Sequence, residues 1–263
     1  SRLFYIEYMI DLWDDFFPNI FDTIKDLSSN PNIIDSSFRI LIQLIKMQFI
    51  SPKINNFDII ISNIYDIIKI YLCNPNIDIN IRILCLKMNS KSLYMLDQFF
   101  TQEEELKGYV DFLLLHLRDI PDKTVHYLAY KLLKKTFARH IENMLDMMDT
   151  VFPIVCMDLE RGDAENKALS IDFLLGLAIS EKDKNLHTII PVAAPNLVPI
   201  LLQFLITSTD VERKRSISDN DKDFEDEIEV DVETNENDSV IDNSIICLRY
   251  FVEAEPDIVP PLI

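Results

Sequence analysis

Apolar positions recur along most of this chain at the spacing of one helix face. Leu106, Tyr109/Val110, Leu113 and Leu117 form one stripe, and Met144, Met148, Val151, Val155 and Leu159 form another. Val125, Leu128, Leu132 and Thr136 trace a third, and Ala168, Ile171, Leu175 and Ala178 a fourth. Steps of three and four residues predict amphipathic helices, each burying one face. One segment departs from this rule. Ile77, Ile79, Ile81 and Ile83 alternate as a half-buried strand would. Its place among the other segments nevertheless predicts a helix.

That place is set by turns. NPN around Pro31, NPN around Pro75, IPD around Pro121 and RGD around Gly162 separate successive stripes at intervals of 44, 46 and 41 residues. Pro and Gly stop one helix, and the Asn or Asp nearby caps the next. An acid with a basic or titratable residue four later follows each turn: Asp35/Arg39, Asp78/Arg82, Asp122/His126 and Asp163/Lys167. At that spacing the pair shares a helix face, with the acid near the positive helix end. Proline also recurs in the first helix of several units, in FFPNIF at Phe16, VFPIVC at Val151, LVPILL at Leu197 and IVPPLI around Val259. Such a return argues for a shared kink or helix start. A period of 40 to 47 residues is that of HEAT-type helix pairs. First helices are predicted at about 12–27, 58–73, 102–118, 141–159 and 189–206, and partners at 35–49, 79–97, 123–138, 164–179 and 241–254. The fold class is all-α: an α-solenoid of HEAT repeats, a right-handed superhelix of antiparallel helix pairs. Helical pattern at both ends suggests a piece of a longer protein.

Composition narrows the function classes. Of 263 residues 48% are hydrophobic, yet the longest apolar run, Leu197 to Ile206, is too short to span a bilayer, so no membrane role is expected. Three glycines leave no material for a dinucleotide fingerprint or a phosphate loop. The four cysteines stand apart without metal-ligand spacing and read as buried free thiols. The four histidines lack a nucleophile or ligand partner at meaningful spacing, so no catalytic group, metal or cofactor is expected. A net charge of −19 argues against nucleic acid and for basic protein partners.

The pattern breaks once. After Ile206 some thirty residues intervene before the next helix, and from Asp219 to Asp238 eleven acids face a single base, Lys222. A run this charged buries too little apolar surface to fold alone. The chain therefore divides into HEAT repeats over 1–206, an acidic loop over 207–239 and a continuation of the solenoid over 240–263. A basic RKRS at Arg213 to Ser216 precedes the acids, with Ser216 and Ser218 as candidate phosphorylation sites.

The order PIVCMDLERGDAENKALSIDFLLGLAISEKD, then NLVPILLQFLIT, the acidic stretch and EAEPDIVPPLI resembles the karyopherin-β (importin-β) family of nuclear transport receptors. The likeness in layout runs upstream to Leu12-Trp13 and corresponds to roughly the fourth to eighth HEAT repeats. It implies binding of the GTP form of the small GTPase Ran, of basic cargo or an importin-α-type adaptor, and of Phe-Gly nucleoporins, in cytoplasm, nucleus and pore. For Ran it implies Asp172, with Glu181 as a nearby substitute for a family acid that falls on Ile179, and the acids Asp219, Asp221, Asp223, Glu225, Asp226, Glu227, Glu229 and Asp231. Val240 stands where the family has a Trp after this loop. For the nucleoporin pocket it implies Ile64, Ile67 and Ile68 on one first helix and Tyr109 and Val110 on the next; the same five also suit an inter-repeat core. A negative inner wall would attract basic targets and make binding salt-sensitive. Two alternatives stay open: a HEAT scaffold without a transport role, and another karyopherin such as a transportin-like receptor.

Overall fold

The computed structural model describes residues 13–47, 50, 56–184, 186, 188–215 and 236–254, and among them there is no strand. The α-helices are α1 (Trp13–Lys25), α2 (Pro31–Lys46), α3 (Phe57–Cys73), α4 (Ile79–Leu96), α5 (Glu103–Asp119), α6 (Lys123–His140), α7 (Met148–Arg161), α8 (Ala164–Asp183), α9 (Ile189–Arg215) and α10 (Glu236–Ala254). Short 3-10 turns cover Phe99–Thr101 and Ile141–Met147.

The second helices α2, α4, α6 and α8 each start at an Asn or Asp whose side chain turns back onto the backbone. Asn30 accepts from the Asn32 N–H at 3.0 Å, Asp78 from Asn80 at 2.8 Å, Asp122 from Val125 at 2.9 Å and Asp163 from Asn166 at 2.9 Å. Each satisfies one of the donors that a helix N-terminus leaves without a partner. The two NPNI copies, however, do different work. In the first, Asn30 is the cap and Pro31 the first helical residue, so α2 begins a turn earlier than the expected 35. In the second, Asn74 closes a turn onto the Asn76 N–H at 3.0 Å, and Asp78 caps α4.

The chain forms two compact units, Ser1–Leu132 and Leu133–Ile263, divided inside α6. In the first unit α1 packs on α2 and α3 on α4, while α1 also packs on α3, α2 on α4 and α3 on α5. In the second, α7 packs on α8 and α9 on α10, and the like helices α7 with α9 and α8 with α10 pack on each other. Within each unit these helices thus meet a hairpin partner, a like helix of the neighbouring pair, or both. This explains the strand-like isoleucines: α4 buries Ile81, Leu84, Cys85, Leu86, Met88, Leu93, Met95 and Leu96, because α2 and α3 both pack on it. A helix covered on most sides loses its amphipathic period. Tyr71 ties the first pairs together, donating its hydroxyl to the buried Ile24 carbonyl at 2.7 Å with its ring edge-on to Phe38.

Other boundaries also differ from expectation. Residues 141–159 are not one α-helix; a 3-10 turn precedes α7. Pro18 and Pro153 do share a place, the sixth residue of α1 and α7, but Pro199 lies deeper inside α9. The expected loop over 207–239 is helical at both margins, since α9 continues to Arg215 and α10 starts at Glu236. No helix among the described residues is long and apolar enough to cross a membrane.

Candidate functional site

The five residues expected to receive Phe-Gly repeats are core residues. Ile64, Ile67, Ile68 and Val110 are wholly buried, and Tyr109 is 2% exposed. Their i, i+3, i+4 spacing puts them on the inward faces of α3 and α5, which pack on each other. The Tyr109 hydroxyl accepts from the Asn89 amide at 2.9 Å, and its ring lies 4.7 Å from that of Phe100. The expected pocket is therefore corrected: these side chains hold helices together and offer no surface. Burying an isoleucine contributes about 1.5–3 kcal/mol, which is reason enough for their presence.

A polar knot sits beside them. Tyr65 of α3 donates its hydroxyl to Glu105 of α5 at 2.7 Å, and Lys69 reaches the same carboxylate at 3.0 Å. Tyr65 also stacks on Phe99 at 4.5 Å, with the Lys69 ammonium 5.0 Å from its ring centre. The hydrogen bonds from Tyr65 and Lys69 hold the Glu105 carboxyl below its ordinary range. Burial, reinforced by Glu105, pushes the Tyr65 phenol up.

Arg82 is not the surface partner of Asp78 that the four-residue spacing suggests. It is 3% exposed and donates to the Asn74 carbonyl at 2.8 Å and the Pro75 carbonyl at 3.3 Å, fastening the turn between α3 and α4. Its other nitrogen lies 2.9 Å from His116 Nε2, and His116 Nδ1 lies 2.6 Å from the Phe112 carbonyl. Arg82 can only donate, so Nε2 accepts and Nδ1 carries the proton. Burial lowers the His116 pKa to about 4, keeping the ring neutral. Histidine at this site is a structural acceptor. Of the expected acid–base pairs, Asp35 and Arg39 do meet, on the exposed side of α2 at 2.6 Å.

The acids implied for Ran separate into three groups. Asp172 stands on α8 with its side chain 44% exposed, paired to Lys134 at 2.6 Å. The Lys134 stem crosses over Gly176, where an added Cβ would come within 2.9 Å of it, and Phe137 meets Phe173 edge-on beneath. Glu181 is different. It is 1% exposed, and its carboxylate accepts the backbone N–H groups of Thr188 at 2.5 Å, Ile189 at 2.6 Å and Ile190 at 2.9 Å. A carboxylate gathered onto the first donors of α9 is a helix cap. Glu181 is thereby removed from the surface acids. The third group, Asp219, Asp221, Asp223, Glu225, Asp226, Glu227, Glu229 and Asp231, lies outside the described residues.

Charge sorts by helix type. The first helices α1, α3 and α5 hold ten acids and four bases, whereas α2, α4 and α6 hold ten bases and one acid, Asp35. The ninth residue is a cation in three successive second helices, Arg39, Lys87 and Lys131, and then Asp172 in α8. A uniformly negative wall of second helices is thus not what the chain has. Sequence reasoning missed this because the overall balance of −19 hides it. Among the described residues no group of His, Cys, Asp and Glu is placed to hold a metal ion. Compared with known proteins, the chain matches no family model and has no significant match among curated sequences.

Proposed function

We propose that the chain is part of a nuclear import receptor of the karyopherin-β kind, an α-solenoid of HEAT-type pairs that takes Ran-GTP, basic cargo or an importin-α-type adaptor, and Phe-Gly repeats. The observation carrying this reading is the junction of α9 and α10. These helices pack as a hairpin, yet the stretch joining them holds most of an acidic run with net charge −10 between Asp219 and Asp238. Such a run at one edge of a stack attracts a basic protein surface over about a Debye length and raises its association rate. Asp172 on the preceding pair, half-exposed and bridged to Lys134, offers a further carboxylate to a basic group that displaces that lysine. Because each pair touches only its neighbours, small rotations add along the stack, so GTPase binding can alter its curvature and release cargo. The reading assigns no catalytic group.

The test is binding of Ran loaded with a non-hydrolysable GTP analogue or with GDP, measured against the chain and a variant with Asp219, Asp221, Asp223 and Glu225 changed to the amides. Nucleotide-selective, salt-sensitive binding that the variant weakens supports the reading. Equal binding of both forms, or none, overturns it. One observation favours a second reading, a HEAT scaffold with no transport role: the five residues implied for Phe-Gly docking are in the core. Chemical-shift titration with a Phe-Gly peptide separates the two, because the scaffold gives no saturable shifts.

A further inference from the structure

The basic second helices present an exposed face that none of these roles uses. On α4, Lys87, Lys91 and Tyr94 stand exposed at i, i+4 and i+7 on a helix without a single acid. On α2 the outward residues are Arg39/Ile40, Gln43 and Lys46/Met47, at the same helical positions. The two helices pack side by side, and each packs on a first helix, α1 or α3, which themselves pack together. The first helices therefore cover one side of both, and the two exposed stripes share the other. Arg39 is satisfied by Asp35. Lys46, Lys87 and Lys91 have no carboxylate partner among the described residues. Three unpaired ammonium groups in a chain of net charge −19 are conspicuous, since acids to pair them abound. Large apolar groups lie among them: Ile40 is 43% exposed, Met47 51% and Tyr94 47%.

We propose that this face of α2 and α4 binds an acidic peptide, its carboxylates on Lys46, Lys87 and Lys91 and its apolar side chains on Ile40, Met47 and Tyr94. The spacing suits an extended segment. Residues four apart on a helix rise about 6 Å, and alternate residues of an extended chain repeat at about 6.6 Å, so carboxylates two residues apart match Lys87 and Lys91. Mixed cationic and apolar groups fit such a peptide better than nucleic acid, whose dense phosphates the rest of this acidic chain repels.

The test is fluorescence anisotropy of a labelled peptide of about nine residues in which every second residue is Glu or Val and Ser stands between them, so that both types share one face of the extended chain, titrated with the full chain. Saturable binding that salt weakens is expected, with Lys87→Glu/Lys91→Glu weakening it about tenfold. Lys107→Glu, on the exposed side of α5, leaves it unchanged, and circular dichroism checks that both variants stay helical. Three results overturn the proposal: no binding, equal binding by the double variant, or tighter binding of an oligothymidylate of the same length. A fourth also does so. If the peptide binds only after residues 216–235 are removed, the chain's own acids are the occupant.

Discussion

Replacing Glu181 by alanine distinguishes a buried cap from a surface contact. The carboxylate accepts three backbone N–H groups and lies 3.3 Å from the Thr188 hydroxyl, in a site where Glu181, Ile189 and Ile190 are each under 5% exposed. A hydrogen bond to a charged group contributes about 1.5–3 kcal/mol, and a buried donor left without a partner costs about 1–3 kcal/mol. Water entering the vacated space recovers part of this, so a loss of about 3 kcal/mol is expected, above the roughly 0.5–2 kcal/mol of an ordinary exposed cap because three buried donors are left. With a urea slope of about 2 kcal/mol/M, the midpoint for the second unit falls by about 1.5 M. Glu181→Gln keeps an acceptor but turns its amide donors toward backbone donors, and loses about 2 kcal/mol. Hydrogen exchange gives the local readout: the Ile189 and Ile190 amides lose protection in the alanine variant. A surface acid would change stability by less than about 0.5 kcal/mol. A loss that small, with both amides still protected, would refute the assignment.

His116 makes the first unit acid-sensitive. Its pKa is about 4 in the folded chain against an ordinary 6.5, so between those values the unfolded chain binds a proton that the folded one does not. Its contribution is complete above pH 6.5, shrinks as pH falls toward 4, and totals about 3 kcal/mol; urea melts of His116→Gln lose this slope in that window. An NMR titration finds Nδ1 protonated and the ring neutral at pH 6. The glycines of α8 and its preceding turn respond oppositely to alanine. At Gly162 the new Cβ would lie 2.3 Å from the Asp158 carbonyl oxygen, a backbone atom, so stability in urea melts drops by about 1–3 kcal/mol. At Gly176 it meets only the flexible Lys134 stem, and helix propensity then gives up to about 1 kcal/mol of stabilisation while Lys134 leaves Asp172.

Local signals carried the fold and failed at the site. The capping Asn and Asp residues act within a few residues of themselves, so the starts of α4, α6 and α8 were legible at Asp78, Asp122 and Asp163. At Asp78 the same acid misled the pairing argument. A carboxylate curled onto the first N–H groups has left the helix face, and Arg82, four residues on, turns inward to the carbonyls of the preceding turn. Glu181 could not be read as a cap because its donors come seven to nine residues later, after a reversal of the chain that periodicity does not describe. The five residues on α3 and α5 show the remaining limit. An apolar position at helical spacing looks alike whether it faces another helix or a ligand, and only the neighbour on top of it decides.

The distribution of charge bears on both proposals. Acids on α1 and α3 and bases on α2 and α4 place opposite charges on helices that pack together, which favours pairing within hairpins and disfavours a first helix replacing a second. That accounts for segregation, but it does not account for cations turned away from the acidic layer. Lys87 and Lys91 are exposed on the side of α4 that α3 does not cover, so their attraction to α3 is screened by solvent. The ninth helical position carries a cation on α4 and α6, Lys87 and Lys131, and an acid on α8, Asp172. On the two proposals, a basic GTPase or cargo would be recognised by the acidic run and an acidic peptide by the cations of α2 and α4. The two proposals therefore assign ligands of opposite charge to different parts of the chain, and charge complementarity, rather than competition for one surface, would select between them.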